Sequence, residues 1–309
     1  MIGPGTPTFD QLRIFLAVVE TGSFAGAGRK LNRAVSVISY GIANLEAQLG
    51  VTLFDREGTR RPQLTIAGRA VLAEARSVAQ GMDGLRAKVK GLLEGLEAEV
   101  NLVVDVMLPP ARLGAVLRAF RAEYPTVALR LHVEALGAVI ALVLEGRAVI
   151  GIAGPLASEA EGIDHVAAGS VPLVPVAAPD HPLARAERLD PGAAREHVQL
   201  VLTDRSHFTE GRDFAVASPR TWRLADLGAK HALLREGIGW GNMPLPLIEP
   251  DLVAGTLVRL ALPEAVGGIY RFSGIYRRAE PPGPAASWLL DQFVASGREE
   301  NVPPGFVDV

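Results

Sequence analysis

From Gly22 to Leu53 the chain reads GSFAGAGRKLNRAVSVISYGIANLEAQLGVTL, two short helical periods around a turn. Ser23 is placed to accept a hydrogen bond from the free N–H groups that open a helix, and Phe24, Ala27, Gly28 and Leu31 then share one face. Asn32 and Arg33 break that helix. In the second period Val35, Ile38, Ile42, Leu45 and Leu49 recur at steps of three and four, and Gly50 supplies a C-terminal cap. The opposite face carries Ser36, Ser39, Tyr40 and Asn44, side chains that are short or planar and able to donate and accept hydrogen bonds. Such a face suits the floor of a DNA major groove, as on the second helix of a helix-turn-helix. Taken alone, an ordinary helical hairpin with a polar outer face fits equally well.

The flanks decide between these. Thr8 and Gln11 have the spacing of a capping box before a helix with Leu12, Phe15, Leu16 and Val19 on one face. Beyond the pair, Val51 to Phe54 reads as a strand, Glu57-Gly58-Thr59 as a turn and Arg61 to Thr65 as a returning strand. That is a wing. Arg56, Arg60 and Arg61 on it, with Arg33 at the inter-helix turn, are expected to reach phosphates or a narrow minor groove. A winged helix-turn-helix is the resulting expectation.

With these elements in place, the chain resembles the LysR-type transcriptional regulators. The resemblance is carried by LRIFLAVVETGSF from Leu12 to Phe24, ISYGIANLEAQLGVTLFDR from Ile38 to Arg56, and LTIAGRAVL from Leu64 to Leu72. One departure stands out: Val35 lies where the family usually has a glutamine at the start of the recognition helix. A valine cannot read an adenine edge. Base discrimination then falls to Ser36, Ser39, Tyr40 and Asn44.

From Ile66 to about Leu96 a helical period runs without proline, started by Thr65. Leu72, Ala75, Ala79, Met82, Leu85, Val89, Leu92 and Leu96 keep close to heptad spacing. A rod of that length cannot bury its stripe alone. It either lies on its own C-terminal domain or, as the resemblance implies, pairs with a second copy in a homodimer or homotetramer. Gly81, Gly84, Gly91 and Gly95 along it permit close helix contact or mark a bend.

After Val100 the period changes. NLVVDV from Asn101 to Val106 reads as a buried strand, and Pro109-Pro110 opens a helix to Tyr124. Val127, Leu129, Leu131 and Val133 alternate as a strand with one face in the core. Helix Leu136 to Glu145 and strand Ala148 to Ala153 complete a parallel α/β unit. A second unit is expected from near Val171, through helix Pro191 to Glu196, strand Val198 to Leu202 and helix Leu224 to Arg235, ending near Leu260. The chain then returns with Gly268 to Tyr276 and a helix from Ala285 to Val294.

This half resembles the family's effector domain, two α/β subdomains joined by two crossing strands, similar to periplasmic solute-binding proteins. The crossings are placed near Pro175 to Ala178 and near Gly267 to Arg271. The fold class is therefore α/β with a helix-rich N-terminal winged helix-turn-helix. The expected divisions are a DNA-binding domain at 1–65, a linker helix at 66–97 and an effector domain at 98–309. Within the last, subdomain I covers about 98–175 and 268–309, and subdomain II about 176–267.

Ligands of open α/β sheets sit beyond the carboxyl ends of strands, often against helix N-termini. That selects the loops Met107 to Ala111, Glu134 to Val139, Leu202 to Arg205 and Trp240 to Pro244. Thr203 and Asn242 are candidates for hydrogen bonds, Arg205 for a carboxylate and Trp240 for an apolar wall, with Met107, Pro109 and Glu134 alongside. Where the family often offers a hydroxyl after the first strand, this chain has Met107-Leu108-Pro109, which favours an effector with an apolar or aromatic part.

Composition narrows the classes that remain. The formal charge of −3 is uneven: residues 1–65 carry seven basic and five acidic side chains, a balance of +2, and residues 101–309 a balance of −5. Screening over about 8–10 Å makes local charge the one that matters at phosphates. The absence of cysteine excludes disulfides and thiolate sites. No run approaches the roughly 20 apolar residues of a membrane span and the N-terminus has no signal-peptide pattern, so a cytoplasmic protein is expected, with no membrane partner. The chain has no G-x-S-x-G, H-E-x-x-H or Walker sequence, its six histidines are scattered, and Gly237-Ile-Gly-Trp-Gly lacks the dinucleotide fingerprint. Neither enzyme activity nor a cofactor or metal is expected. The partners expected are double-stranded DNA and a small-molecule effector. The alternative is a cytoplasmic small-molecule-binding α/β protein that uses its N-terminal domain only for association.

Overall fold

The computed structural model describes residues 5–55, 62–93 and 95–298. It forms two compact units, residues 1–90 and 91–309.

In the first unit α1 (Phe9–Thr21), α2 (Phe24–Leu31) and α3 (Val35–Leu49) pack around Ile14, Phe15, Val18, Ala27, Ile38, Ile42 and Leu45. Their starts and stops follow local chemistry. Thr8 and Gln11 form the reciprocal capping box, and the Ser23 hydroxyl accepts the Gly26 N–H at 3.0 Å. Asn32 ends α2 in the left-handed region at φ 53°, which asparagine tolerates better than most residues. Strands β1 (Phe54–Asp55) and β2 (Gln63–Leu64) pair antiparallel. Glu57-Gly58-Thr59, Arg56, Arg60 and Arg61 lie outside the described residues. Phe54 meets Phe15 and Phe24 edge-on, which seats the wing on the helices.

Helix α4 (Ile66–Leu93) starts where the Thr65 hydroxyl accepts the Gly68 N–H at 2.9 Å. Val71, Leu72 and Ala75 join the first core. Val78, Leu85, Val89 and Leu92 further along are about half exposed. The helix stops before Leu96, which packs in the second unit instead of extending the stripe.

The second unit runs β3 (Glu99–Asp105), α5 (Pro110–Glu123), β4 (Ala128–Glu134), α6 (Gly137–Leu144), β5 (Ile150–Ala153), β6 (Ile163–Ala177) and α7 (Pro182–Arg185). It continues with β7 (Gln199–Leu202), β8 (Thr221–Leu224), α8 (Leu227–Arg235), β9 (Gly241–Pro244), α9 (Leu245–Ala254), β10 (Val258–Arg259), β11 (Gly268–Arg277) and α10 (Pro284–Arg298). One sheet has the order β10-β6-β11-β5-β3-β4, with β9 also on β6. β3 is parallel to both β4 and β5, while β7 and β8 form a separate parallel pair. β6 and β11 are antiparallel from Gly268 opposite Leu173 to Arg277 opposite Ile163, and they link the two halves of the unit.

Several expectations need correction. β6 begins at Ile163, well before the Val171 that the pattern marked, because Gly169 and Pro172 look like breaks in sequence. In the sheet, Gly169 has φ +89° where the pairing with β11 slips between Arg271 and Ser273, and Pro172 pairs with Ile269. At the edge strand β4 the alternating face is core over only half its length: Val127 and Leu129 pack against the core, whereas Leu131 is exposed and Val133 is 51% exposed. Pro191 to Glu196 contains only a 3₁₀ turn, Ala193–Glu196, and the residues at Leu224 end a strand instead of opening a helix. α9 follows Pro244 and holds Pro250, a proline density that conceals it from sequence patterns.

Candidate DNA-reading face and effector cleft

α3 turns Ile38, Ile42 and Leu45 into the core, so Ser36, Ser39 and Tyr40 project outward. Tyr40 is 69% exposed, and Asn44 is half-buried at the edge of the same face. Val35 was expected in the apolar stripe but is 46% exposed, since the core begins only at Ile38. With Val37, also exposed, it offers apolar contact of the kind a thymine methyl group takes. Arg33 is exposed beside α3 and its guanidinium donates to Asp10 at 2.6 Å. That bond holds the Asp10 carboxyl below its usual range.

Glu46 was not singled out by the sequence pattern. It is buried, and its Oε1 accepts the N–H groups of Leu53 at 2.7 Å and Phe54 at 3.3 Å, which ties the wing to α3. Glu46→Ala is expected to cost about 2–4 kcal/mol by stranding two buried donors. Glu46→Gln keeps an acceptor and should cost less, an order that urea unfolding of the intact chain checks.

In the second unit the carboxyl end of β3 holds Asp105, almost fully buried. Its carboxylate accepts from Met107 N–H at 2.8 Å, Leu136 N–H at 3.3 Å and the Tyr270 hydroxyl at 2.8 Å. Burial outweighs these bonds and pushes its pKa up to about 6. From the other subdomain, Asp204 accepts the Ala138 N–H at 2.7 Å at the start of α6 and also holds Ser206 and Thr209. Gly137 is required there, because an added Cβ would lie 2.4 Å from Ser206 Oγ and 2.6 Å from Phe208 Cβ. Arg212 reaches back to Glu159 with two hydrogen bonds at 2.8 and 3.2 Å. The two subdomains are thus clasped at these points.

Between them is a small, mostly apolar cavity of about 60 Å³, lined among others by Met107, Leu136, Phe214, Lys230, Asn242 and Tyr270. Thr203 and Arg205 instead line a wider polar groove of about 660 Å³ with His207, Arg212 and Arg223. The sequence-selected residues are therefore divided. Met107 and Asn242 share the cavity, whereas Pro109 is buried at the start of α5. Glu134 is exposed at the end of β4, where its carbonyl accepts the Val106 N–H at 2.8 Å. Trp240 is no cavity wall: it is fully buried in a separate core with Leu183, Leu260 and Leu262, and its indole N–H donates to the Ala194 carbonyl at 3.2 Å. Lys230, Asp105 and Tyr270 were missed. The charge ending the apolar run NLVVDV and the lysine between Leu227 and Leu234 on the buried side of α8 were the signals available.

A winged helix-turn-helix followed by a long helix and two clasped α/β subdomains is the build of a ligand-responsive DNA-binding regulator. Comparison with known proteins agrees. The family description "LysR substrate binding domain" matches residues 93–298, and "Bacterial regulatory helix-turn-helix protein, lysR family" matches residues 9–69. The chain belongs to the LysR family of DNA-binding transcriptional regulators, which carry an effector-binding domain. It is 29% identical to the probable HTH-type transcriptional regulator YhaJ of Escherichia coli over 294 residues, 93% of this chain and 95% of that one. It is 30% identical to the HTH-type transcriptional activator AllS of Klebsiella pneumoniae over 256 residues, 81% and 93% of the two chains. Among solved structures, an OxyR mutant from Corynebacterium glutamicum shares the fold at a TM-score of 0.51 and 24% identity, covering 95% of this chain and 94% of that one. A full-length OxyR variant from Pseudomonas aeruginosa does so at 0.51 and 18%, covering 93% and 99%.

Proposed function

We propose that this chain reads an operator half-site through Ser36, Ser39, Tyr40 and Asn44 in the cytoplasm. Arg33, Arg56, Arg60 and Arg61 serve as phosphate or minor-groove contacts. The carrying observation is the outward face of α3, polar and exposed directly over a core of Ile38, Ile42 and Leu45. The working divisions remain a reading domain at 1–65, a linker at 66–97 and an effector domain at 98–309.

The chain works as a homodimer or homotetramer, and two exposed apolar surfaces support that. Val78, Leu85, Val89 and Leu92 on α4 recur at heptad spacing and are half exposed, and β4 presents Leu131 and Val133 at a sheet edge. A second copy doubles a basic footprint that is modest in one. A small molecule at Met107 and Asn242 shifts the arrangement of subunits to the extent that it binds one state better than the other. The chain carries out no catalysis in this reading; its relatives are transcriptional regulators.

Gel shift and footprinting on the DNA upstream of the chain's own coding sequence test the reading. Ser39→Ala and Tyr40→Ala are each expected to weaken specific binding by about 1–3 kcal/mol while the fold is unchanged. Footprints and affinities identical to wild type would remove α3 from the reading face.

A further inference from the structure

Lys230 projects from α8 into the interior between the subdomains and is 3% exposed. Its ammonium donates to the Asn242 carbonyl at 2.7 Å, and no carboxylate pairs with it among the described residues. Gly241 gives its stem room, since a Cβ there would lie 3.1 Å from Lys230 Cε and 2.7 Å from the Leu200 carbonyl. The ammonium therefore has donors to spare at the wall of the 60 Å³ cavity. Beside it the Asn242 side-chain oxygen is buried and has no hydrogen-bond partner among the described residues. The rest of the wall is mostly apolar, including Leu136, Leu202 and Phe214, and its polar members Gln199 and Tyr270 are hydrogen-bonded to Ala215, Ala217 and Ser218 and to Asp105.

A buried cation without a counter-ion is costly, and a buried acceptor without a donor is costly too. One compact ligand relieves both. Taking the cleft as the effector site proposed above, we propose that it binds a short 2-hydroxy monocarboxylate, its carboxylate on Lys230 and its hydroxyl donating to Asn242 Oδ1. A single positive charge matches a single negative one, whereas a dicarboxylate would bury a charge uncompensated. At roughly 30 Å³ per water the 60 Å³ volume corresponds to about two waters, so only a compact ligand of a few heavy atoms is admitted. Burial lowers the Lys230 pKa to about 7, and an incoming carboxylate opposes that by favouring the protonated amine.

The test is titration calorimetry of the full chain with lactate, propionate and the neutral lactamide, repeated on Lys230→Met and Asn242→Ala. Lactate is expected to bind wild type, propionate more weakly and lactamide not measurably. Lys230→Met, of similar volume and without charge, should weaken lactate at least roughly tenfold, about 1.4 kcal/mol, while its thermal unfolding shows it folded. Asn242→Ala should bind lactate and propionate alike. Equal binding of lactate and lactamide, unchanged lactate affinity in Lys230→Met, or no binding by either acid overturns the assignment. Gel shifts in the presence of a protein-free small-molecule cell extract separate the two levels. If the extract alters operator binding while the acids do not, the 2-hydroxy acid is overturned and the effector cleft stands. If neither alters it, both fall.

Discussion

Asp105→Ala is expected to lower the stability of the C-terminal unit by about 3–9 kcal/mol, against a total of roughly 5–15 for a typical domain. The carboxylate accepts from Met107 N–H, Leu136 N–H and the Tyr270 hydroxyl, and all three donors are buried. Alanine leaves them without an acceptor, at about 1–3 kcal/mol each. Leu136 adds to the cost, because it sits at φ 49° and ψ −124°, a conformation that a leucine adopts only when its surroundings impose it.

The same carboxyl makes stability depend on pH. Its pKa in the folded chain is about 6, against 3.8 ordinarily. Between those values the native state keeps a proton that the unfolded state has lost. Stability from this group is complete below about pH 4, falls by ~3 kcal/mol as pH rises to about 6, and changes little above that. Asp105→Asn keeps an acceptor but cannot titrate. Subtracting its urea-unfolding profile from that of wild type across pH 4 to 8 should isolate the fall, and a flat difference would remove Asp105 as its source.

Gly68→Ala carries the largest expected effect in the N-terminal unit. Its Cβ would lie 2.2 Å from the Leu53 carbonyl oxygen, 3.1 Å from the Leu53 carbonyl carbon and 3.0 Å from Leu64 Cδ2. Backbone, not a flexible side-chain tip, stands in the way. Leu53 cannot easily retreat, because its carbonyl accepts the Thr65 N–H at 3.0 Å and its own N–H is held by Glu46. The substitution must move the start of α4 away from the wing, at upwards of about 3 kcal/mol. Operator affinity should fall at least tenfold and the N-terminal unit should unfold at lower temperature. A Gly68→Ala protein that binds DNA and unfolds as wild type does would show that α4 need not approach Leu53 so closely.

The N-terminal helices were legible residue by residue, since caps and apolar spacing act within a few residues of chain. Thr8 with Gln11, Ser23, Asn32 and Gly50 each do in the structure what their chemistry suggests. Strand boundaries were less legible, because a strand's extent depends on its neighbour. β6 runs through Gly169 and Pro172 only because β11 lies beside it, and along the edge strand β4 Leu129 packs against the core while Leu131 and Val133 stay exposed.

The cleft was legible as a place and not as a set of side chains. The ends of β3 and β7 follow from topology, and Met107 was selected on that basis. Asn242 was selected in Trp240 to Pro244, read as a loop, whereas Gly241–Pro244 is strand β9 and Asn242 lies within it, paired with Pro175. Trp240 was selected by the same rule, yet its side chain turns to Ala194 and an unrelated core. Periodicity and local chemistry in the sequence determined the winged helix-turn-helix, the long helix and the α/β character of the rest. Only the tertiary structure decided that Asp105 would be buried under Tyr270, that Asp204 would cap a helix of the opposite subdomain, and that Lys230 would reach a cavity without a counter-ion. Burial and charge pairing depend on what residues distant in the chain bring alongside, and no local pattern records that.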